Sequence, residues 1–195
     1  MSHTPETLRV IQDEHMALSA MLQSVHLLIR RGPGDDRRAF FDTLRAMLFY
    51  IDEFPERLHH PKESNLLFPR VVRLAPQTMD VVQRLEQEHL RGEPAVRALQ
   101  HLLLAWELLG EGRRPAFVQA FTDYMAFYRE HMRLEETEIL PVAQRCLTPA
   151  DWQELDEAFA ANRDPLTGRY PAAPEYEALF QRILRDAPAP VGLGA

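Results

Sequence analysis

Apolar side chains recur at i, i+3, i+4 and i+7 along most of this chain, and no stretch alternates as a strand would. That is the helical period. The pattern predicts four long helices, at residues 5–31, 38–73, 77–109 and 115–145. Between them lie loops built from breakers: Gly32 to Asp36, Ala75-Pro76, and Gly110 to Gly112. Thr4-Pro5 reads as an N-cap followed by Pro at the first helical position. Pro61 falls inside the second helix and predicts a local disturbance, since proline lacks the N–H and crowds the carbonyl four residues back. Thr148 with Asp151 reads as a capping box opening a short helix at 151–162. Another short helix is expected at 174–185, followed by a frayed tail. The expected architecture is all-α: an up-down-up-down four-helix bundle at residues 1–147, with a C-terminal helical extension at 148–195.

The helices contain a repeat. Residues 59–69 read HHPKESNLLFP and residues 131–141 read HMRLEETEILP. At an offset of 72, His59 matches His131, Glu63 matches Glu135, Leu67 matches Ile139 and Pro69 matches Pro141. The first and third helices match more weakly, through QDEH ending at His15 and EQEH ending at His89. The chain therefore reads as two copies of a helical hairpin, each carrying one lone His and one HxxxE.

Spacing brings these groups together. The midpoint between His15 and His59 is Arg37, in the first turn region. The midpoint between Glu63 and His89 is the breaker Pro76, and that between His89 and His131 is Gly110. Each turn thus lies halfway between candidates on neighbouring antiparallel helices. At about 1.5 Å per residue, all of them fall at one level of the bundle, to within about a turn. Residues four apart share a helix face, so each HxxxE presents two donors to one point. Four imidazoles and two carboxylates suit two iron or manganese ions. A lone His on a helix is more often solvated or hydrogen-bonded, and HxxxE is a common surface pair; the joint pattern carries the inference. His60 adjoins His59 but is turned about 100° round an α-helix, which places it beside the site or at its entrance. His3, His26 and His101 lie outside the pattern. A rival reading takes Glu56-x2-His59 and Glu86-x2-His89 as the ExxH pairs of a ferritin-like centre, but leaves His15, His131 and the repeat unexplained.

Composition narrows the field. With 195 residues, 46% of them hydrophobic and 26% charged, the chain has the make-up of one globular domain with an appendage. A net charge of −7 argues against nucleic acid as a partner, and no apolar run is long enough to span a membrane. Only Lys62 accompanies the arginines. A single cysteine, Cys146, forms no internal disulfide and fits a reducing cytoplasm. The eight histidines and the acids are then the material for any metal site.

Over residues 10–145 the pattern H…HxxxE…H…HxxxE resembles the hemerythrin-like HHE cation-binding family. The resemblance implies a di-iron site with His15, His59, Glu63, His89, His131 and Glu135 as ligands. Glu63 and Glu135 would bridge, an oxide or hydroxide would complete the pair, and manganese or zinc would be substitutes. The oxygen-carrying members have HxxxH on the third helix, where this chain has Glu93 four residues after His89, and HxxxxD on the fourth, where it has HxxxE. Without a fifth His from that position, either both irons keep an open position or Glu93 fills one.

Near the ligands lie apolar and aromatic residues, among them Leu18, Leu22, Val82, Leu85, Val96 and Phe127. They read as bundle core that would also admit O2, NO or peroxide. Tyr124, two turns before His131, reads as core or rim, or as a donor to a bound ligand. Glu14 and Glu88 read as solvated, or as carboxylates that orient the imidazoles. Three functions follow. The first is binding or sensing of O2 or NO. The second is a redox enzyme acting on peroxide, NO or O2, or delivering iron for iron–sulfur repair. The third is a metal-sensing module whose amphipathic extension binds a partner; capping of the bundle within the chain explains that extension at least as well, and a homodimer is a further option.

Overall fold

The computed structural model describes residues 5–194. The chain is all-helical, with six continuous helices among the described residues. Helix α1 is Glu6–Arg31. Helix α2 runs through residues 37–74, α3 through 76–109 and α4 through 111–146. Helix α5 is Pro149–Ala160 and α6 is Glu177–Asp186. Helix α1 packs on α2, α2 on α3, α3 on α4, and α4 back on α1, closing a ring; α5 lies on α1 and α6 on α2. Among the described residues, no helix is long and apolar enough to cross a membrane.

The ends follow local chemistry. The Asp36 side chain accepts from Ala39 N–H to cap α2. Gly32 and Gly110, at φ 78° and 90°, end α1 and α3. Thr148 and Asp151 form the reciprocal box that opens α5. Thr4 lies outside the described residues, and Pro5 offers no side-chain cap. Instead Asp156 of α5 accepts from the Thr7 backbone N–H and hydroxyl, at 2.7 and 2.6 Å, so the extension supplies an anion to the first turn of α1.

Proline alters the two helices that carry the repeat. Three turns widen to π-helix: Asp52–His59, Glu63–Leu67 and Glu135–Ile139. Each ends two residues before a proline (Pro61, Pro69 and Pro141). A wider turn carries the backbone past the missing N–H and relieves the crowding. The helices therefore continue through positions that would break a strict α-helix, and the disturbance expected at Pro61 is a change of pitch.

The apolar core falls into two clusters. One holds Leu18 to Ile29 of α1 with Phe41, Trp106 and Phe121. The other holds Leu8 to Ile11 with Phe68, Leu140 and, from the extension, Trp152, Leu155 and Phe159. Between them lies a layer of buried polar residues: Glu14, His15, His59, His60, Glu63, Glu88, His131 and Glu135. Most of the apolar stripe of the extension is covered within the chain: Trp152, Leu155, Phe159, Phe180 and Ile183 are buried, whereas Leu184 is exposed.

Candidate metal centre

The buried layer contains two groups whose donor atoms lie within 4.8 Å of one another. One is His15, His59, Glu63 and Glu135; the other is His60, Glu63, His89 and His131. All six residues singled out from the repeat are in one group or the other. Glu63 is common to both, whereas Glu135 belongs to the first alone. His60 is the addition. Expected beside the site or at its entrance, it stands within the second group and also borders the cleft. The π-helical turn ending at His59, and the one beginning at Glu63, shift the facing of the short α segment between them. Adjacent histidines then both reach the interior, and His60 stacks on His89 with ring centroids 4.3 Å apart. The fifth imidazole comes from α2. Glu93 enters neither group and pairs with Arg97 at the surface. Glu56 and Glu86, the carboxylates of the rival reading, also enter neither group.

Every imidazole is held from behind. The His59 Nδ1–H donates to Glu14 at 2.6 Å, and that of His131 to Glu88 at 2.9 Å. The His15 Nδ1–H donates to Glu136 at 2.9 Å. His89 Nδ1 bonds Ser64 at 2.8 Å, and His60 Nδ1 meets Glu56 at 3.1 Å. Where the partner is a carboxylate, which only accepts, a proton sits on Nδ1 and Nε2 faces the centre. Glu14 and Glu88 are buried rather than solvated. Each serves the HxxxE histidine of the next helix, not the lone His beside it in sequence. The residues following Glu63 and Glu135 serve the lone histidines in turn. The repeat thus extends one residue beyond four of the six ligand candidates, in Glu14-His15, Glu88-His89, Glu63-Ser64 and Glu135-Glu136. The doubled pattern was available in the sequence as a signal for this outer set.

The inner atoms are left without partners. His15 Nε2, His59 Nε2 and all four oxygens of Glu63 and Glu135 are buried with no hydrogen bond. His59 Nε2 lies 2.8 Å from Glu63, His89 Nε2 lies 3.4 Å from Glu63, and His89 Nε2 faces His131 Nε2 at 3.1 Å. Two buried carboxylates met only by imidazoles carry a desolvation cost of several kcal/mol each, and the facing Nε2 atoms of His89 and His131 share at most one proton between them. A cation among these groups offsets that cost, so the donor set fits metal ions.

The electrostatics record the same strain. Burial pushes the Glu63 carboxyl up, with the nearby Glu135 charge adding to it, to about 8. Burial pushes Glu135 up, but the neighbouring His15 imidazole, 3.5 Å away, outweighs it and holds the carboxyl well below the usual range. Burial alone would lower His15, but Glu135 and Glu136 overcome it and raise the imidazole to about 9. His59 is likewise raised, with Glu63 and Glu14 outweighing burial. His60 and His89 are held well below 6.5 by burial and by neighbouring imidazoles.

Tyr124 is buried and donates to Glu56 at 2.8 Å, and Tyr128 donates to the same oxygen. Tyr124 therefore reaches the centre through Glu56 and His60. Two spaces adjoin the centre. A cavity of about 10 Å³ lies against His15, His59 and His60, near the lower bound for one water. A cleft of about 660 Å³ lies against His60 and His89, lined also by Glu56, Ser64 and Glu93.

A family profile described as the hemerythrin HHE cation-binding domain matches residues 6–143. An uncharacterised protein of Haemophilus influenzae is 29% identical over 126 residues, covering 65% of this chain and 71% of its own length. No solved structure matches the chain significantly.

Proposed function

The chain belongs to the hemerythrin HHE cation-binding family, and we propose that its buried His/Glu layer holds two iron ions and binds a small ligand, O2 or NO, at one of them. The observation that carries this is the set of orphaned atoms: Nε2 of His15 and His59, and both carboxylates of Glu63 and Glu135, converge without partners. In this reading the four long helices are an up-down-up-down bundle, residues 148–195 are an appended extension, and the protein acts in the cytoplasm. Ferrous iron supplies electrons and an open position for a diatomic ligand. His15, His59, Glu63 and Glu135 hold one ion; His60, His89, His131 and Glu63 hold the other. Glu14, Glu136, Glu88, Glu56 and Ser64 fix the ring orientations and raise ligand basicity. Apolar walls such as Leu18 and Phe54 keep bulk water from the first ion.

A second reading, turnover of peroxide, NO or O2, is favoured by one observation: the phenols of Tyr124 and Tyr128 converge on Glu56 behind His60. Such an array can hand charge to the centre from its rear.

Anaerobic loading with ferrous iron, metal counting and visible spectra before O2, with O2 and after its removal test the proposal. Two irons per chain and a reversible spectrum support ligand binding. Repeated consumption of O2, NO or peroxide moves the function to turnover. Unchanged iron content in His59→Ala and Glu135→Ala would sink the site.

A further inference from the structure

Matching positions of the two hairpins hold their supporting carboxylates differently. Glu88, behind His131, is gripped by Arg84 from one turn back on the same helix, at 2.9 Å. Arg84 is half exposed. Glu14, behind His59, has Val10 one turn back and no such grip. Its carboxylate oxygen Oε2, which accepts the His59 proton, also accepts from Asn162 Nδ2 at 2.9 Å. Asn162 belongs to the segment after α5, beyond residues 6–143 that match the family.

That amide is pinned at both ends. Its Oδ1 accepts from Lys62, the only lysine in the chain. Two residues on, Asp164 accepts from the buried Tyr50 hydroxyl at 2.6 Å. Asn162 and Asp164 are 4% and 3% exposed, and the residue between them, Arg163, is exposed with φ 48°. A non-glycine residue in the left-handed region is strained and persists only where its surroundings hold it. Here the kink lets alternate side chains both turn inward. Together they line the small cavity along with His15 and His59.

We propose that the C-terminal extension completes the metal centre: Asn162 is a positioning residue that fixes Glu14, and through it the His59 ring, while closing the cavity beside the first metal group. This rests on the metal reading above. The extension takes the place that Arg84 holds in the other hairpin, with a buried neutral donor instead of a surface cation.

The test uses the full chain and cobalt(II), whose visible bands report coordination geometry directly. Asn162→Ala removes the amide. Asn162→Asp keeps its size and its bond from Lys62, but replaces the donor to Glu14 with a second carboxylate. Leu103→Ala is the control, since Leu103 is fully buried in α3 far along the helix from His89; it loosens the core without touching the centre. We expect cobalt affinity about 10-fold lower in Asn162→Ala and lower still in Asn162→Asp, as for lost outer-sphere partners. Altered visible bands should accompany both, with wild-type affinity and bands in Leu103→Ala. Wild-type affinity and spectra in both Asn162 variants would overturn the proposal. So would an equal loss in Leu103→Ala, which would make the effect general loosening. A wild type that takes up no cobalt and no iron would instead overturn the metal reading itself, and this inference with it.

Discussion

The two hairpins build the same ligand pattern into different surroundings. In one, His15 and His59 face a cavity that holds about one water. In the other, His89 and His131 are joined by His60, and His60 and His89 border a cleft of about 660 Å³. The differences trace to single positions of the repeat. His60 is matched by Met132, and Glu56 by Tyr128. Leu18, three residues after one lone His, is matched by Gly92, three after the other. Leu18 fills space; Gly92 leaves it, so that Glu56 and Tyr128 approach the backbone of α3. The repeat supplies symmetric donors, and a few asymmetric neighbours make one side tight and enclosed and the other accessible.

The comparison breaks most completely at Glu63, the one side chain shared by both groups. Glu63→Gln keeps the shape and removes the charge. Iron content should fall from two per chain to a small fraction. The metal-free variant should melt several degrees higher than metal-free wild type above pH 8, since relief of ~1 kcal/mol shifts Tm by about 2–4 °C in a chain of this size. Elemental analysis and calorimetry read the two effects, and full iron loading in the variant would show that the groups do not share this ligand.

Gly92→Ala should separate the halves. A methyl group there would collide with Tyr128 Oη and both carboxylate oxygens of Glu56. Forcing them aside removes the support behind His60. Affinity for the second ion should fall about 10- to 100-fold, with the first retained and a stability loss of about 1–3 kcal/mol. Stepwise iron titration followed by thermal unfolding checks this; equal weakening of both ions would contradict the independence of the halves.

The helices and their six candidate ligands were legible because periodicity, breakers and the repeat are all local signals. Glu63 at i+4 from His59 is visible on paper. His60 was not, because its facing depends on π-helical turns on either side, and an ideal α-helix turns it away. Those turns had a sequence cause, the prolines at 61, 69 and 141, but their effect on pitch is not a periodicity. Glu14 and Glu88 were legible as candidates, but not the histidines they serve. That pairing crosses between helices. Asn162 gave no signal: it lies after α5, in no repeat, and only the docking of the extension on α1 brings it to Glu14.

The smallest effect, and the sharpest for the comparison, is pH. In the metal-free protein His15 is raised to about 9, and Glu63 to about 8. Both bind more protons folded than unfolded, so the stability they contribute is present at lower pH. It is lost as pH rises, from about 4.5 through 8 for Glu63 and from about 6.5 through 9 for His15. His60 and His89 are depressed. They bind fewer protons folded, and their burden appears as pH falls below about 6.5. Metal ligands must be deprotonated, so the His60/His89/His131 group, with two imidazoles already neutral, should load first at pH 6. The His15/His59 group should follow only as pH climbs toward 9, with release of imidazole protons. Calorimetric titration at pH 6 and 9, in buffers of different ionisation enthalpy, counts those protons. Simultaneous loading of both ions at pH 6, with no difference between buffers, would mean that the two halves titrate alike and that their electrostatic contrast does not govern binding.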